Sequence, residues 1–298
     1  MLVACTLGSA QEGALVKTML VHLEISPSLE SVLDCALLAA RRFDSYIEGL
    51  HMRPGQPDVI AAGADGFVAA APDLVAGFER EAKERAERAR AVFEAFAARH
   101  ELARPGEGEV RLSADWRIEL SSGPTALGSI GRVFDLIVVG RPVRDSITPS
   151  MAALESALFE TGRPILVAPP KAPLVMGERI VVAWNGSSET ARTVAFGMPF
   201  IKQARSLTVL HIEGVGVPGP SAAELALNLR RHGIACDWKE APLGSRGKGQ
   251  AMLEEAAELG ADLMIKGAYT QSRLRQMIFG GATSQILAEA EIPVLMAN

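Results

Sequence analysis

Two loops hold the residue types best suited to binding chemistry. One reads Ala183-Trp184-Asn185-Gly186-Ser187-Ser188-Glu189-Thr190. The other begins Gly267-Ala268-Tyr269-Thr270-Gln271-Ser272-Arg273 and runs on to Phe279-Gly280-Gly281-Ala282-Thr283-Ser284. Glycine lets a backbone approach an anion closely, and free N–H groups at a helix start favour negative charge. Two glycines followed by a hydroxyl-bearing helix start are therefore what a phosphate cradle needs. Ordinary turns also use glycine pairs, so the pattern names a chemistry and not yet a ligand.

Competing motifs are missing. No G-x-G-x-x-G follows either first strand, which removes a dinucleotide fingerprint. Gly244-Ser245-Arg246-Gly247-Lys248-Gly249 superficially resembles a phosphate loop, but Lys248 is followed by glycine and the first glycine is misplaced. Neither H-E-x-x-H nor G-x-S-x-G occurs. His51 and His211 fall at one repeat position inside strands, which suggests packing or a structural hydrogen bond. Trp116 and Trp238 are likewise matched and read as edge-strand packing or a dimer surface.

The elements that position these loops come from an internal repeat. Residues 18–52 overlay residues 178–212 without a gap, so that Leu20-Val21-His22-Leu23 faces Ile180-Val181-Val182-Ala183. Further matches keep their order: Ala114–Arg117 with Cys236–Lys239, Phe134–Gly140 with Ala261–Gly267, and Arg163–Ala168 with Ile292–Ala297. The chain is a tandem duplication with a proline-rich seam near Pro169-Pro170-Lys171-Ala172-Pro173. The second half alternates apolar runs with helices: strands at 179–183, 207–212, 235–241, 262–266 and 293–296, and helices at 187–204, 221–232, 249–259 and 282–290. Ser187 or Ser188 and the stop glycines Gly233 and Gly260 mark helix ends. That order predicts a parallel sheet covered on both faces. The first half reads the same way, with an Ala/Gly/Pro-rich insertion over 54–77 and a long helix over Phe78–His100. In such sheets ligands sit beyond the carboxyl ends of the strands at the switch point, which singles out the loops after strands one and four.

At this point the second half resembles a universal stress protein domain, through Ile180–Ala191 and Asp262–Met296. The resemblance implies two tandem copies of a five-stranded parallel-sheet, adenine-nucleotide-alpha-hydrolase-like (Rossmann-like) sandwich. It divides the chain into an extension over 1–16, a degenerate domain over 17–169 and a domain over 177–298 with a partial nucleotide-binding motif. Nucleotide-binding members carry Gly, two residues, Gly, nine residues, Gly, then Ser or Thr after strand four. Gly267 and Gly280 hold the first and third glycine positions. Thr270 replaces the second glycine, and Gly281 replaces the hydroxyl residue. Thr283 matches a residue near the phosphates, and Ser284 is a secondary contact. Ala183 and Asn185 face ribose and base, with Asn185 standing where members place an acid. The implied ligand is ATP or AMP, with Mg²⁺ only alongside ATP. The first-half loop keeps Gly140 but no later cradle glycine, Pro142 and Pro149 remove donors, and Glu24 repels phosphate. Arg141 and Arg144 read as solvated loop charges before an anion site. That half is read as nucleotide-silent.

Composition bounds the remaining choices. The chain has 298 residues, 48% of them hydrophobic, enough for a sizeable core. A net charge of −5 argues against a dedicated nucleic-acid binder, and 5% aromatics argues against base-stacking platforms. Three scattered cysteines fit a reducing compartment, and no apolar run is long enough to span a bilayer. Leu2-Val3-Ala4-Cys5 resembles a lipoprotein cleavage box but lacks a basic and apolar lead. The expectation is a cytoplasmic stress-response regulatory or protective protein, not an enzyme. The halves should pack as a pseudo-dimer through their last strands, with room for homodimerisation. The alternative is an interaction module of the same fold with no nucleotide.

Overall fold

The apolar runs become strands whose side chains are buried on both faces, which requires helices above and below them. In the computed structural model, residues 16–54, 61–63, 66–68, 72–106, 111–121, 125–142, 148–268 and 281–298 are described. The first half runs β1 (Thr18–His22), α1 (Leu29–Phe43), β2 (Tyr46–Pro54), a small hairpin β3 (Ala61–Gly63) and β4 (Gly66–Val68), then α2 (Pro72–Arg99). It continues with β5 (Ser113–Ser121), α3 (Thr125–Gly131), β6 (Leu136–Gly140), α4 (Met151–Glu160) and β7 (Ile165–Ala168). The second half runs β8 (Arg179–Ala183), α5 (Ser188–Lys202), β9 (Ser206–Ile212), α6 (Ala222–Arg231), β10 (Asp237–Ala241), α7 (Lys248–Glu258), β11 (Leu263–Gly267), α8 (Ala282–Glu289) and β12 (Val294–Ala297).

Among the described residues, ten strands form one sheet in the order β10-β9-β8-β11-β12-β7-β6-β1-β2-β5. Each half is parallel, and chain order reverses between β1 and β6 and between β8 and β11. The halves meet where β12 pairs antiparallel with β7, Leu295 opposite Leu166. One apolar core lies under α1, α2, α5 and α6, and the other under α3, α4, α7 and α8. Phe43 of α1 meets Phe200 of α5 edge to face at 4.8 Å across the junction. Arg42 adds donors to the carbonyls of Met176 and Gln203.

Repeat-matched residues do matched work. Asp135 accepts from the backbone N–H groups of Lys17 and Thr18 at the start of β1. Its counterpart Asp262 accepts from those of Gly177 and Arg179 at the start of β8. His51 Nδ1 lies 2.8 Å from the Leu23 carbonyl, and His211 Nδ1 lies 3.2 Å from that of Trp184. Trp116 and Trp238 occupy the two outer strands, where Trp238 is 47% exposed and Trp116 lies 5.7 Å from the Arg90 guanidinium carbon.

Four sequence expectations need correction. The overlay is not ungapped: Met19 pairs with Leu136 while Ile180 pairs with Leu263, so β1 matches β8 at an offset of one further residue. Leu23 then equals Trp184, and Glu24 equals Asn185. The long helix starts at Pro72, well before Phe78, because proline needs no N–H partner in a first helical turn. The supposed plain insertion also contains the β3–β4 hairpin. Finally, Val16 is buried and its carbonyl accepts from Ser45 Oγ at 2.7 Å, so the fold reaches into the expected extension.

Candidate functional site

The site is assembled at the carboxyl ends of β8 and β11, either side of the switch point. After β8 the chain turns through Gly186 (φ +76°) into α5, whose N-cap Ser187 accepts from the Thr190 N–H. Asn185 Oδ1 accepts from the Ser187 N–H at 3.2 Å and from Thr190 Oγ1 at 2.6 Å. Its oxygen is thus engaged in shaping the turn. The Asn185 carbonyl accepts from the Val217 N–H, which pins the following loop over this one. Ala183 is fully buried at the end of β8, and Trp184 Nε1 donates to the Pro220 carbonyl at 2.7 Å.

Gly267 ends β11 against the first turn of α5. A Cβ there would fall 2.6 Å from Thr190 Oγ1 and 2.7 Å from the Glu189 carbonyl carbon. Strand–helix packing alone therefore requires this glycine. Gly281 is the N-cap of α8 with φ 123°, a conformation side chains rarely take. That backbone explains why a hydroxyl residue is absent at 281, and it leaves α8 without a side-chain cap. Thr283 lies buried in the first turn of α8, with Ser284 beside it. Thr270 and Gly280, both expected in the cradle, lie outside the described residues.

One residue at the site was not singled out from sequence. Lys266 is 6% exposed, and its Nζ donates to the Gly267 carbonyl and to Thr283 Oγ1, each at 2.8 Å. Burial pushes its pKa down to about 8. The available signal was a lone charge in the otherwise apolar strand Leu263-Met264-Ile265-Lys266-Gly267. A chain of contacts thus joins Asn185, Thr190, Gly267, Lys266 and Thr283. Chemically the α8 end suits an anion: a helix N-terminus, a close-approach backbone and an ammonium group converge there.

The first half solves the same geometry differently. Glu24, the counterpart of Asn185, accepts from the N–H of Ser150, the N-cap of α4, at 2.9 Å. A tethered carboxylate therefore occupies that helix start. Val139 stands where the second half has Lys266. Arg141 turns away to donate to the carbonyls of Leu287 and Ala288 near the end of α8. Arg144 lies outside the described residues. In the glycine-rich stretch 244–249, a Cβ added at Gly247 or Gly249 would fall 2.7 Å from the Gln285 side chain of α8, so those glycines serve helix packing.

Among the described residues no cluster of three His, Cys, Asp or Glu could hold a metal ion. No described helix is long and apolar enough to cross a membrane. Two open α/β units, each with strand order 3-2-1-4-5 and fused through their last strands, define a tandem Rossmann-like sandwich.

Known proteins agree with that class. Residues 243–298 match the universal stress protein family, a span that holds β11, α8 and β12. A 49-residue stretch is 34% identical to the stress response protein NhaX of Bacillus subtilis (strain 168), covering 16% of this chain and 30% of that protein. The match therefore spans under a third of the relative's length. Over the whole chain, the fold is similar to a universal stress protein from Archaeoglobus fulgidus DSM 4304. That likeness has a TM-score of 0.69 at 14% identity, over 95% of this chain and 97% of the other. A protein of unknown function from Pseudomonas aeruginosa PAO1 matches at 0.52 and 16% identity, over 95% and 92%. Residues 243–298 thus match the universal stress protein family, and the overall fold is similar to that of a solved universal stress protein.

Proposed function

We propose that the protein is a cytoplasmic stress-response regulatory or protective protein that binds ATP or AMP in its C-terminal half. It acts by binding, and no turnover is assigned to it. The observation that carries this reading is the difference between the two α/β units. The start of α4 is filled by the Glu24 carboxylate, whereas that of α8 has no side-chain cap and faces a buried ammonium. Phosphates would lie against Gly267, Gly281 and Thr283, with Ser284 as a secondary contact. Ribose and base would lie toward Ala183 and Asn185. Mg²⁺ would arrive with ATP, held by the phosphates. In a thermal-shift titration, ATP·Mg²⁺ should raise the melting temperature, because a ligand of the native state alone stabilises it. No shift at millimolar ATP would remove the nucleotide from this account.

A second reading draws on Gly267, whose presence helix packing already explains. On that reading the fold is an interaction module without a nucleotide, and the same titration separates the two.

A further inference from the structure

Counting charges at the two helix starts exposes an imbalance. In the first half a positive helix end meets one carboxylate, Glu24, and the strand position matching Lys266 is the apolar Val139. In the second half a positive helix end meets a neutral Asn185 and an added ammonium, Lys266. A cation at a helix N-terminus opposes the helix dipole, and burial away from water adds a second penalty. Two of the ammonium N–H groups find acceptors, Gly267 O and Thr283 Oγ1. The third has none among the described residues. The acidic side chains of α7 and α8 are engaged elsewhere: Glu254 and Glu255 with Arg246, Glu258 with Lys239, and Glu289 with Gln285. Residues 269–280 contain two Arg and no Asp or Glu, so they cannot supply a carboxylate either.

We propose that Lys266 is the specificity-determining counter-charge of the C-terminal site, selecting a phosphoryl anion to occupy the place that Glu24 fills in the first half. The bound anion completes the hydrogen bonding of the ammonium and satisfies the first turn of α8 through the Lys266–Thr283 pair. This inference uses the site of the nucleotide reading but concerns its charge alone. It therefore applies to an oligophosphate as well as to a nucleotide, and adenosine lies outside it.

Calorimetry on the full chain with ATP, adenosine and inorganic tripolyphosphate tests it, using wild type, Lys266→Met and Lys266→Arg. Wild type should bind ATP and tripolyphosphate. Lys266→Met should weaken both by about tenfold or more, the scale of one charged hydrogen bond, and leave adenosine affinity unchanged. Lys266→Arg keeps the charge and should recover part of the loss, which also guards against a folding defect. Wild-type affinity for ATP and tripolyphosphate in Lys266→Met would overturn the proposal. So would equal weakening of adenosine. Binding of adenosine and ATP with equal strength, and no tripolyphosphate binding, would sink the counter-charge while the nucleotide reading stood. Tripolyphosphate binding without any gain from the adenosine moiety would uphold the counter-charge and sink the nucleotide.

Discussion

Leu295 of β12 lies opposite Leu166 of β7 in an antiparallel register, and both are fully buried. This is the antiparallel pairing in an otherwise parallel ten-stranded sheet. It turns two open α/β units into one continuous sheet, and the two cores run across the junction on either face.

Because the cores are shared, the two halves should unfold together. Trp116 reports the first half, and Trp184 and Trp238 report the second. Denaturation of Trp→Phe variants that isolate each reporter should give coincident midpoints. Leu295→Ala should lower the stability seen by both reporters by about 2–5 kcal/mol, the usual range for a large-to-small core change. Two separated midpoints in the parent protein would contradict this.

A second prediction concerns the outer edge of the second half. Glu255 of α7 is 7% exposed in its side chain and pairs with Lys239 of β10 at 2.6 Å and Arg246 at 3.1 Å. The hydrogen bond from Lys239 holds its carboxyl below the usual range. A lowered folded-state value means that its contribution is present above the ordinary carboxylate range. It is lost as pH falls through the folded value. Glu255→Gln should remove that part of the acid sensitivity, read as a flatter melting temperature below neutral pH.

The glycines at the site separate packing from binding. Gly267→Ala forces a Cβ into Thr190 and should cost about 1–3 kcal/mol without any ligand, the range for overpacking. Gly281→Ser would restore the family hydroxyl, yet φ 123° resists it, with a penalty of about 1–3 kcal/mol. Melting curves of the ligand-free variants check both. A Gly267→Ala variant as stable as the parent would show that α5 does not press on β11 as described.

Lys266 predicts an unusual alkaline profile. A base whose folded pKa is lowered is penalised while both states are protonated. Stability therefore rises as pH passes from the folded value, about 8, to the ordinary value of 10.5. Lys266→Met should abolish that rise relative to the parent. At neutral pH and without ligand it should stabilise by about 1–3 kcal/mol, as apolar replacement of a poorly paired buried charge often does. Parallel pH–melting curves for the parent and Lys266→Met decide this.

Much of this architecture was legible in the chain. Local signals carried the helix ends, as with the Ser187 cap and the positive-φ stops Gly233 and Gly260. Repeat logic placed Trp116 and Trp238 on matched edge strands and pointed to pairing of the last strands. What escaped was non-local or a matter of register. The one-residue slip of β1 is invisible in a run of interchangeable apolar residues, and it alone makes Glu24 the counterpart of Asn185. The Glu24–Ser150 bond spans 126 residues, and the Arg141 contact with α8 spans 147. Lys266 was hidden because a charge inside a buried strand reads as an irregularity until its neighbours are known.

The most direct test of the central claim is the stoichiometry of ATP binding to the full chain, measured by isothermal titration calorimetry. An α8 start without a side-chain cap among the described residues and a carboxylate-filled α4 start predict one site per chain. They also predict that Lys266→Met weakens that site. Two equivalent sites per chain, or no heat of binding at millimolar ATP, would contradict the account.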